Sequence, residues 1–357
     1  MKNIKLNNLI KDFDESSAAI IESSANIKYF TDLDFEIENG VLFVLKNKKY
    51  LLVDDRFFGA VKKTAEIETI RLVDLKKQLK DLIQNIKIKE IFLETGYINL
   101  NRYKTYLEIF DKSKIDLSNF LDEKIFRLRA QKTAHEIKKI KEAQGISDEG
   151  FDYIINYIKP GVSERQIATE LERQLLFLGS EGKSFDFIVV SGQRSAIPHG
   201  KPSEKKIERG DFVTLDFGVK VDGYCSDMTR TVVVGEADDQ QKEIYNIVLG
   251  AQELAIKNIK PGVSAKELDK IAREYIKSFG YEKFFVHALG HGVGLNIHEY
   301  PRLSPRSDDI IKSGSVLTIE PGIYIPEKFG VRIEDLILVK DIGFENLTRS
   351  SKNLILL

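Results

Sequence analysis

The sequence predicts an α/β (α+β) protein of two domains, the larger one duplicated, with helices covering a sheet. Three observations carry that prediction. The stretch IKPGVSERQIATELERQLLFLG (158–179) returns 101 residues later as IKPGVSAKELDKIAREYIKSFG (259–280), its first six residues identical. Apolar and polar residues alternate over 212–235 and again over 315–339, the period of strands with two unlike faces. The first part of the chain mixes short apolar strands with helix-like stretches. The domains are therefore set at 1–125 and 126–357, with the charged segment RLRAQK (127–132) marking the boundary.

Taken in order, GVLFVLKNKKYLLVDD (40–55) reads as a hairpin with Asn47 near its turn. EIFLET (90–95) is a short apolar strand and LNRYKTYLEIF (100–110) a helix. Past the boundary, Ile137, Ile140, Ile146, Phe151, Ile154 and Ile158 recur mostly at steps of three and four, a helical stripe. In each repeat a Pro-Gly pair stops the preceding helix, and Ser163 or Ser264 is placed to cap the next one. Two copies are too few for a solenoid, so residues 130–357 read as one duplicated domain.

Composition narrows the function. The 357 residues carry 54 basic and 55 acidic side chains, a net charge of −1, which argues against nucleic-acid binding. One cysteine excludes an internal disulfide and a cysteine-based zinc cluster. The opening MKNIKLNNLIKDFDESS has no long apolar stretch, and no apolar run approaches the roughly 20 residues that span a bilayer. A soluble, cytoplasmic protein without membrane attachment is expected.

The informative residues are five potential metal ligands: Asp216 in TLDFG, Asp227 in YCSDMTRT, His291 in GHGVG, Glu320 in TIEPGIY and Glu334 in VRIED. Residues 212–235 read as two strands turning near Val221-Asp222-Gly223. A turn at Val221-Asp222 puts Asp216 directly opposite Asp227, whereas a turn at Asp222-Gly223 makes them diagonal neighbours on one face. Like charges so placed repel unless a cation or a shared proton intervenes. Residues 315–320 and 331–339 form a second antiparallel pair around a Pro/Gly loop, with Arg332 and Glu334 on one face and Val331 and Ile333 on the other. If the sheet is continuous, four carboxylates and one imidazole converge. Oxygen-rich ligation with a single nitrogen suits manganese, magnesium or iron(II), and four acids fit two ions roughly 3.5–4 Å apart better than one. Any one of these acids alone would be an ordinary salt-bridged residue; the set carries the argument. GHGVG lacks the GxxxxGK[ST] pattern and setting of a phosphate loop. Cys225, on the face of Asp227, is expected as a small buried residue, and His135 receives no role.

TLDFG, YCSDMTRT, HALGHGVGLNIHE, TIEPGIY and GVRIED together resemble the motifs of the Xaa-Pro peptidases, aminopeptidase P and prolidase, which share a "pita-bread" fold with methionine aminopeptidase and creatinase. NIKYFTD (26–32) and LLVDDRFF (51–58) resemble the creatinase-type N-terminal domain, except that Asp32 stands where the family commonly has glycine. The resemblance implies a curved antiparallel sheet covered by helices, a dinuclear metallo-exopeptidase cutting before proline, and a homodimer whose smaller domain packs beside the active-site mouth. It implies that Asp216, Asp227, His291, Glu320 and Glu334 hold two divalent ions, manganese first, with cobalt or zinc as substitutes. It makes His287 the donor to the tetrahedral intermediate, His298 and His199 substrate histidines, Arg332 a neighbour of the metal carboxylates, and Glu320 the group that moves the proton. The substrate is then a proline-containing peptide. Methionine aminopeptidase fits the long N-terminal domain poorly. Metal-free creatinase and an inactive peptide-binding module both conflict with retention of all five ligands.

Overall fold

The apolar runs of the first domain pair into one mixed sheet. The structure is a computed structural model that describes residues 2–33, 37–64 and 67–357, and the chain divides into two units after Arg129. In the first unit, β1 (Ser17–Ile21), β2 (Val41–Leu45), β3 (Lys49–Val53), β4 (Glu68–Arg71), β5 (Glu90–Leu93) and β6 (Ile115–Asp116) lie in the order β4-β3-β2-β1-β5-β6. The β2–β3 hairpin turns at 46–48 as expected, with Leu45 donating to the Lys48 carbonyl. The β1–β5, β3–β4 and β5–β6 pairs are parallel. Helices α1 (Lys2–Leu9), α2 (Ser24–Thr31), α3 (Asp55–Thr64), α4 (Leu75–Ile83), α5 (Leu100–Ile109) and α6 (Phe120–Ala130) complete it. Asp32 caps α2 in the left-handed region (φ 49°), where its N–H donates to the Lys28 carbonyl and its carboxylate pairs with Lys5 at 3.0 Å. A glycine reaches that conformation without cost, and aspartate is among the few side chains that tolerate it. The departure from the family pattern thus keeps the backbone.

The second unit opens with α7 (Ala134–Ile154) and α8 (Glu164–Phe177), both started by capping boxes, Thr133 with Glu136 and Ser163 with Gln166. Strands β7 (Ile188–Ser191), β8 (Phe212–Phe217), β9 (Lys220–Val221), β10 (Tyr224–Cys225) and β11 (Met228–Val233) follow, and then α9 (Asp239–Lys257) and α10 (Ala265–Ser278). The chain ends through β12 (Gly290–Gly292), β13 (Glu299–Leu303), β14 (Val316–Ile319), β15 (Gly322–Ile325), β16 (Phe329–Arg332), β17 (Asp335–Val339) and β18 (Phe344–Asn346). Its strand pairs are all antiparallel, in the orders β11-β8-β7 and β13-β12-β14-β17-β18 plus two short hairpins, β9–β10 and β15–β16. The long pair expected over 315–339 is broken: β14 meets β17 and β15 meets β16, with Glu320 and Glu334 at the break. Two cores result, one for each half. Ile154, Ile167, Leu171 and Leu175 pack on Val189, Leu215 and Phe217, and Ile244, Val248, Leu268, Ala272 and Ile276 pack on Leu317, Ile319 and Ile337. Burying such side chains is worth about 1.5–3 kcal/mol each, which fixes each helix pair over its sheet. Among the described residues no helix is long and apolar enough to cross a membrane.

Candidate metal centre and substrate pocket

Strand alternation decides which carboxylates reach the site. Along β8, Val213, Leu215 and Phe217 enter the first-half core, which turns Thr214 and Asp216 to the opposite face. The register Phe217↔Met228, Asp216↔Thr229 continues through Val221↔Tyr224, so the turn is Asp222-Gly223, the second of the two alternatives. Both turn residues have positive φ, 49° and 76°, as a two-residue hairpin of the favoured hand requires. Asp216 therefore faces Thr229, and Asp227, in the gap between β10 and β11, is its diagonal neighbour.

The second half meets this edge at its own interruption. Ile319 pairs with Asp335 and Gly322 with Arg332, which leaves Glu320 and Glu334 at opposed positions between them. Thr229 joins the halves: its carbonyl accepts from the Glu334 N–H at 3.1 Å, and its hydroxyl donates to the Glu334 carboxylate at 2.6 Å. Ligand atoms of Asp216, Asp227 and Glu334 then lie within 4.8 Å of one another, all three residues buried. His291 Nε2 sits 3.7 Å from Asp227 and 3.4 Å from Glu320. Its flanking glycines allow this approach. A Cβ on Gly290 would stand 2.1 Å from the Thr318 carbonyl oxygen, and one on Gly292 2.1 Å from that of Tyr300. The glycines of GHGVG thus serve strand crowding around a histidine.

The electrostatics call for a cation. Burial, and then the charges of Glu334, Asp216 and Glu320, hold the Asp227 carboxyl well above the usual range. Glu334 is raised by burial and by Glu320 and Asp216, and burial pushes Glu320 up to about 8. Burial also lowers His291 to about 4, which keeps the imidazole neutral and able to ligate. Arg332, whose guanidinium donates to Asp216 at 2.5 Å, supplies one positive charge to four acids. Three converging buried carboxylates, a fourth beside them and one neutral imidazole are a donor set that fits hard divalent ions.

Beside these acids lies a cavity of about 350 Å³, and all nine residues singled out by the sequence line it: His199, Asp216, Asp227, His287, His291, His298, Glu320, Arg332 and Glu334. The His298 ring packs edge-on to His291, with centroids 4.4 Å apart. Two assignments acquire detail that changes their chemistry. Arg332 is committed within the protein: besides Asp216 it donates to Tyr324 Oη at 2.6 Å, the Pro198 carbonyl and the Thr229 hydroxyl. His287 has both ring nitrogens engaged at 2.8 Å, Nδ1 against the Ala288 carbonyl and Nε2 against Tyr324 Oη. A carbonyl only accepts, so the proton sits on Nδ1 and Nε2 accepts from the tyrosine. Cys225 is buried with Sγ 3.8 Å from the Leu295 carbonyl, and neither it nor His135 lines the cavity.

Sequence reasoning missed Thr229, Tyr324, Phe185, Ile188 and Arg302. Thr229 was findable, because it lies two residues beyond Asp227 on the same strand face. The others had no periodic signal. Arg302 on β13 lines the cavity, and among the described residues its guanidinium makes no hydrogen bond or ion pair.

Comparison with known proteins agrees with this geometry. Residues 138–341 match metallopeptidase family M24, and residues 5–131 match the creatinase/prolidase N-terminal domain. The Xaa-Pro dipeptidase of Pyrococcus furiosus is 39% identical over 353 residues, 98% of this chain and 99% of that protein. The structure of an Xaa-Pro dipeptidase from Bacillus anthracis superposes with a TM-score of 0.95 at 40% identity, covering 100% of both chains. That of an X-Pro aminopeptidase from Thermotoga maritima MSB8 superposes with a TM-score of 0.89 at 38% identity, covering 97% of this chain and 99% of the other. The chain belongs to metallopeptidase family M24 and carries a creatinase/prolidase-type domain ahead of its catalytic fold.

Proposed function

We propose that this protein is a metal-dependent exopeptidase that hydrolyses the bond between an N-terminal residue and the proline that follows it. The observation that carries the reading is the buried cluster of Asp216, Asp227 and Glu334, completed by His291 and Glu320, at the wall of a cavity lined by three further histidines. These five side chains would hold two divalent ions, with manganese as the best match to four oxygen donors and one nitrogen. When bound, such ions supply Lewis acidity at the scissile carbonyl and lower the pKa of the attacking water.

The protein's own groups do the rest. Glu320, its Oε1 receiving the Thr318 hydroxyl at 3.0 Å, takes the proton of the attacking water as oxygen bonds to the carbonyl carbon. The same carboxyl passes that proton to the proline nitrogen as the C–N bond breaks. Proline lacks an amide N–H and its ring fixes φ, so a pocket for it needs shape rather than a hydrogen-bond partner. His199 and His298 line the cavity with Phe185 and Ile188, and these four would form the walls that seat the ring. Arg332 holds Asp216 in place through an ion pair of 2.5 Å. Arg302, with its guanidinium uncommitted, is the cation for the carboxylate of an Xaa-Pro dipeptide. His287 is the donor to the developing oxyanion in its other tautomer, with the proton on Nε2, which requires that nitrogen to release the hydrogen bond it accepts from Tyr324 Oη.

Purified protein supplied with manganese should cleave Xaa-Pro and leave Xaa-Ala largely intact, with activity removed by a chelator and restored by the metal. Size-exclusion chromatography of the same sample should show a dimer. A protein that binds manganese yet cleaves Xaa-Ala as well as Xaa-Pro refutes the proline reading.

A further inference from the structure

A second cleft, of about 480 Å³, adjoins the reaction cavity across Phe185, Ile188 and His199, the three residues that line both. Three cations, Arg165, Lys183 and Lys201, line it against two acids, Glu172 and Asp186. Most of these charges are spoken for. Lys183 pairs with Asp186 at 3.0 Å, and Arg165 pairs with Glu204 at 2.6 Å. Lys201 remains: among the described residues its Nζ makes no hydrogen bond or ion pair, and it stands two residues beyond His199.

The loop that presents Lys201 is held from beneath by one buried carboxylate. Glu164, fully buried at the start of α8, accepts from the Ser191 N–H and hydroxyl (2.8 and 3.0 Å) and from the Ser203 N–H and hydroxyl (3.0 and 2.6 Å). It also accepts from Arg194 Nε at 3.0 Å, and the same guanidinium donates to the Lys201 carbonyl at 2.7 Å. Both ends of the segment 191–203 and its middle are therefore tied to a single charge. The repeat makes the point sharper. The second IKPGVS copy has Ala265 where the first has Glu164, so this clamp belongs only to the half that bears His199 and Lys201.

Resting on the peptidase reading above, we propose that this cleft is the binding site for the residue that follows proline in a longer peptide, with Lys201 meeting its C-terminal carboxylate. One added residue moves a carboxylate onward by about 3.3–3.6 Å, out of reach of a cation placed for a dipeptide. The site therefore provides two anchors, Arg302 for Xaa-Pro and Lys201 for Xaa-Pro-Yaa, and a clamped loop keeps the second in register with the first.

The test crosses two variants with three substrates: Xaa-Pro, Xaa-Pro-Yaa, and Xaa-Pro-Yaa with its C-terminus amidated, all with manganese. Lys201→Glu should raise KM for Xaa-Pro-Yaa about fivefold or more, the scale of an exposed ion pair reversed in sign. KM for Xaa-Pro should move by less than about twofold, and the amidated peptide should lose the penalty. Arg302→Ala should show the opposite selectivity. Equal effects of Lys201→Glu on all three substrates, no effect on any, or a wild type that cleaves Xaa-Pro but not Xaa-Pro-Yaa each overturn the inference. A wild type that cleaves no proline peptide at all overturns the peptidase reading itself, which keeps the two failures distinct.

Discussion

The two halves of the second domain share a backbone frame and differ in what they attach to it. In both, a glycine in the left-handed region (Gly161, φ 89°; Gly262, φ 90°) follows the proline, and its N–H donates to a distant carbonyl, Ile207 at 2.9 Å or Ile311 at 2.8 Å. The next helix is capped by Ser163 or Ser264 in the same way. The buried carboxylate that anchors the cavity-lining segment has moved, however. The first half uses Glu164 at the start of α8. The second uses Asp269, one turn further into α10, which accepts from Leu289 N–H and pairs with Arg273; Arg273 in turn donates to the carbonyls of Phe285 and His287. Duplication thus preserved the hydrogen bonds that need only backbone, while the side chains that aim histidines diverged. The halves also divide the proposed metal donors, Asp216 and Asp227 from one, His291, Glu320 and Glu334 from the other.

The strongest way to break this division of labour is to remove donors from one half at a time. Asp227→Asn in the first and Glu334→Gln in the second should each abolish activity, with a loss beyond the roughly 10–100-fold typical of groups that merely support a ligand. Calorimetric titration should find about two manganese ions per wild-type chain and fewer in either variant. Stripping the metal should also lower the melting temperature, because ions that bind only the folded state stabilise it. Retained full metal content in both variants would mean that the acids are not shared ligands.

A narrower test addresses the second half alone. His287→Ala should lower kcat by about 10²–10³ with KM nearly unchanged, the signature of a group that acts on the transition state. Tyr324→Phe should cost far less, since the bond its hydroxyl donates to His287 Nε2 has to be released before that nitrogen can donate. A silent Tyr324→Phe beside a crippled His287→Ala would show the imidazole working alone. His291→Ala should instead lose metal, which excess manganese partly restores.

Smaller effects compare the two clamps. Glu164→Ala and Asp269→Ala should each cost about 2–4 kcal/mol in urea unfolding, because each strands buried donors and one partly exposed arginine. Their kinetic effects should separate. Loss of Glu164 should weaken binding of peptides through the His199–Lys201 loop, and loss of Asp269 should lower kcat through His287. Smallest is the backbone itself: Gly161→Ala and Gly262→Ala should cost about 1–2 kcal/mol each, from left-handed strain alone, since a Cβ at either site meets nothing within 4 Å. Unequal costs would mean that the shared frame is not shared energetically.

The amino-acid sequence by itself determined the local rules. Period-two alternation put Asp216 and Asp227 on one face, and Arg332 and Glu334 on another. The repeated IKPGVS, with its serine caps, announced two equivalent helix starts. Those signals are legible because they arise from neighbours a few residues apart. Tertiary structure decided the rest. The choice between two hairpin registers, the break that sets Glu320 opposite Glu334, and the bond from Thr229 to Glu334, 105 residues away, all depend on how two sheets meet. So do the commitment of Arg332 to Asp216 and Tyr324, the engagement of both His287 nitrogens, and the exposure of Arg302 and Lys201 to their cavities. Sequence spacing specifies which face a side chain takes. Which partner it finds there is settled by packing between segments a hundred residues apart, where burial makes every unpaired charge costly and leaves few arrangements in which all are satisfied.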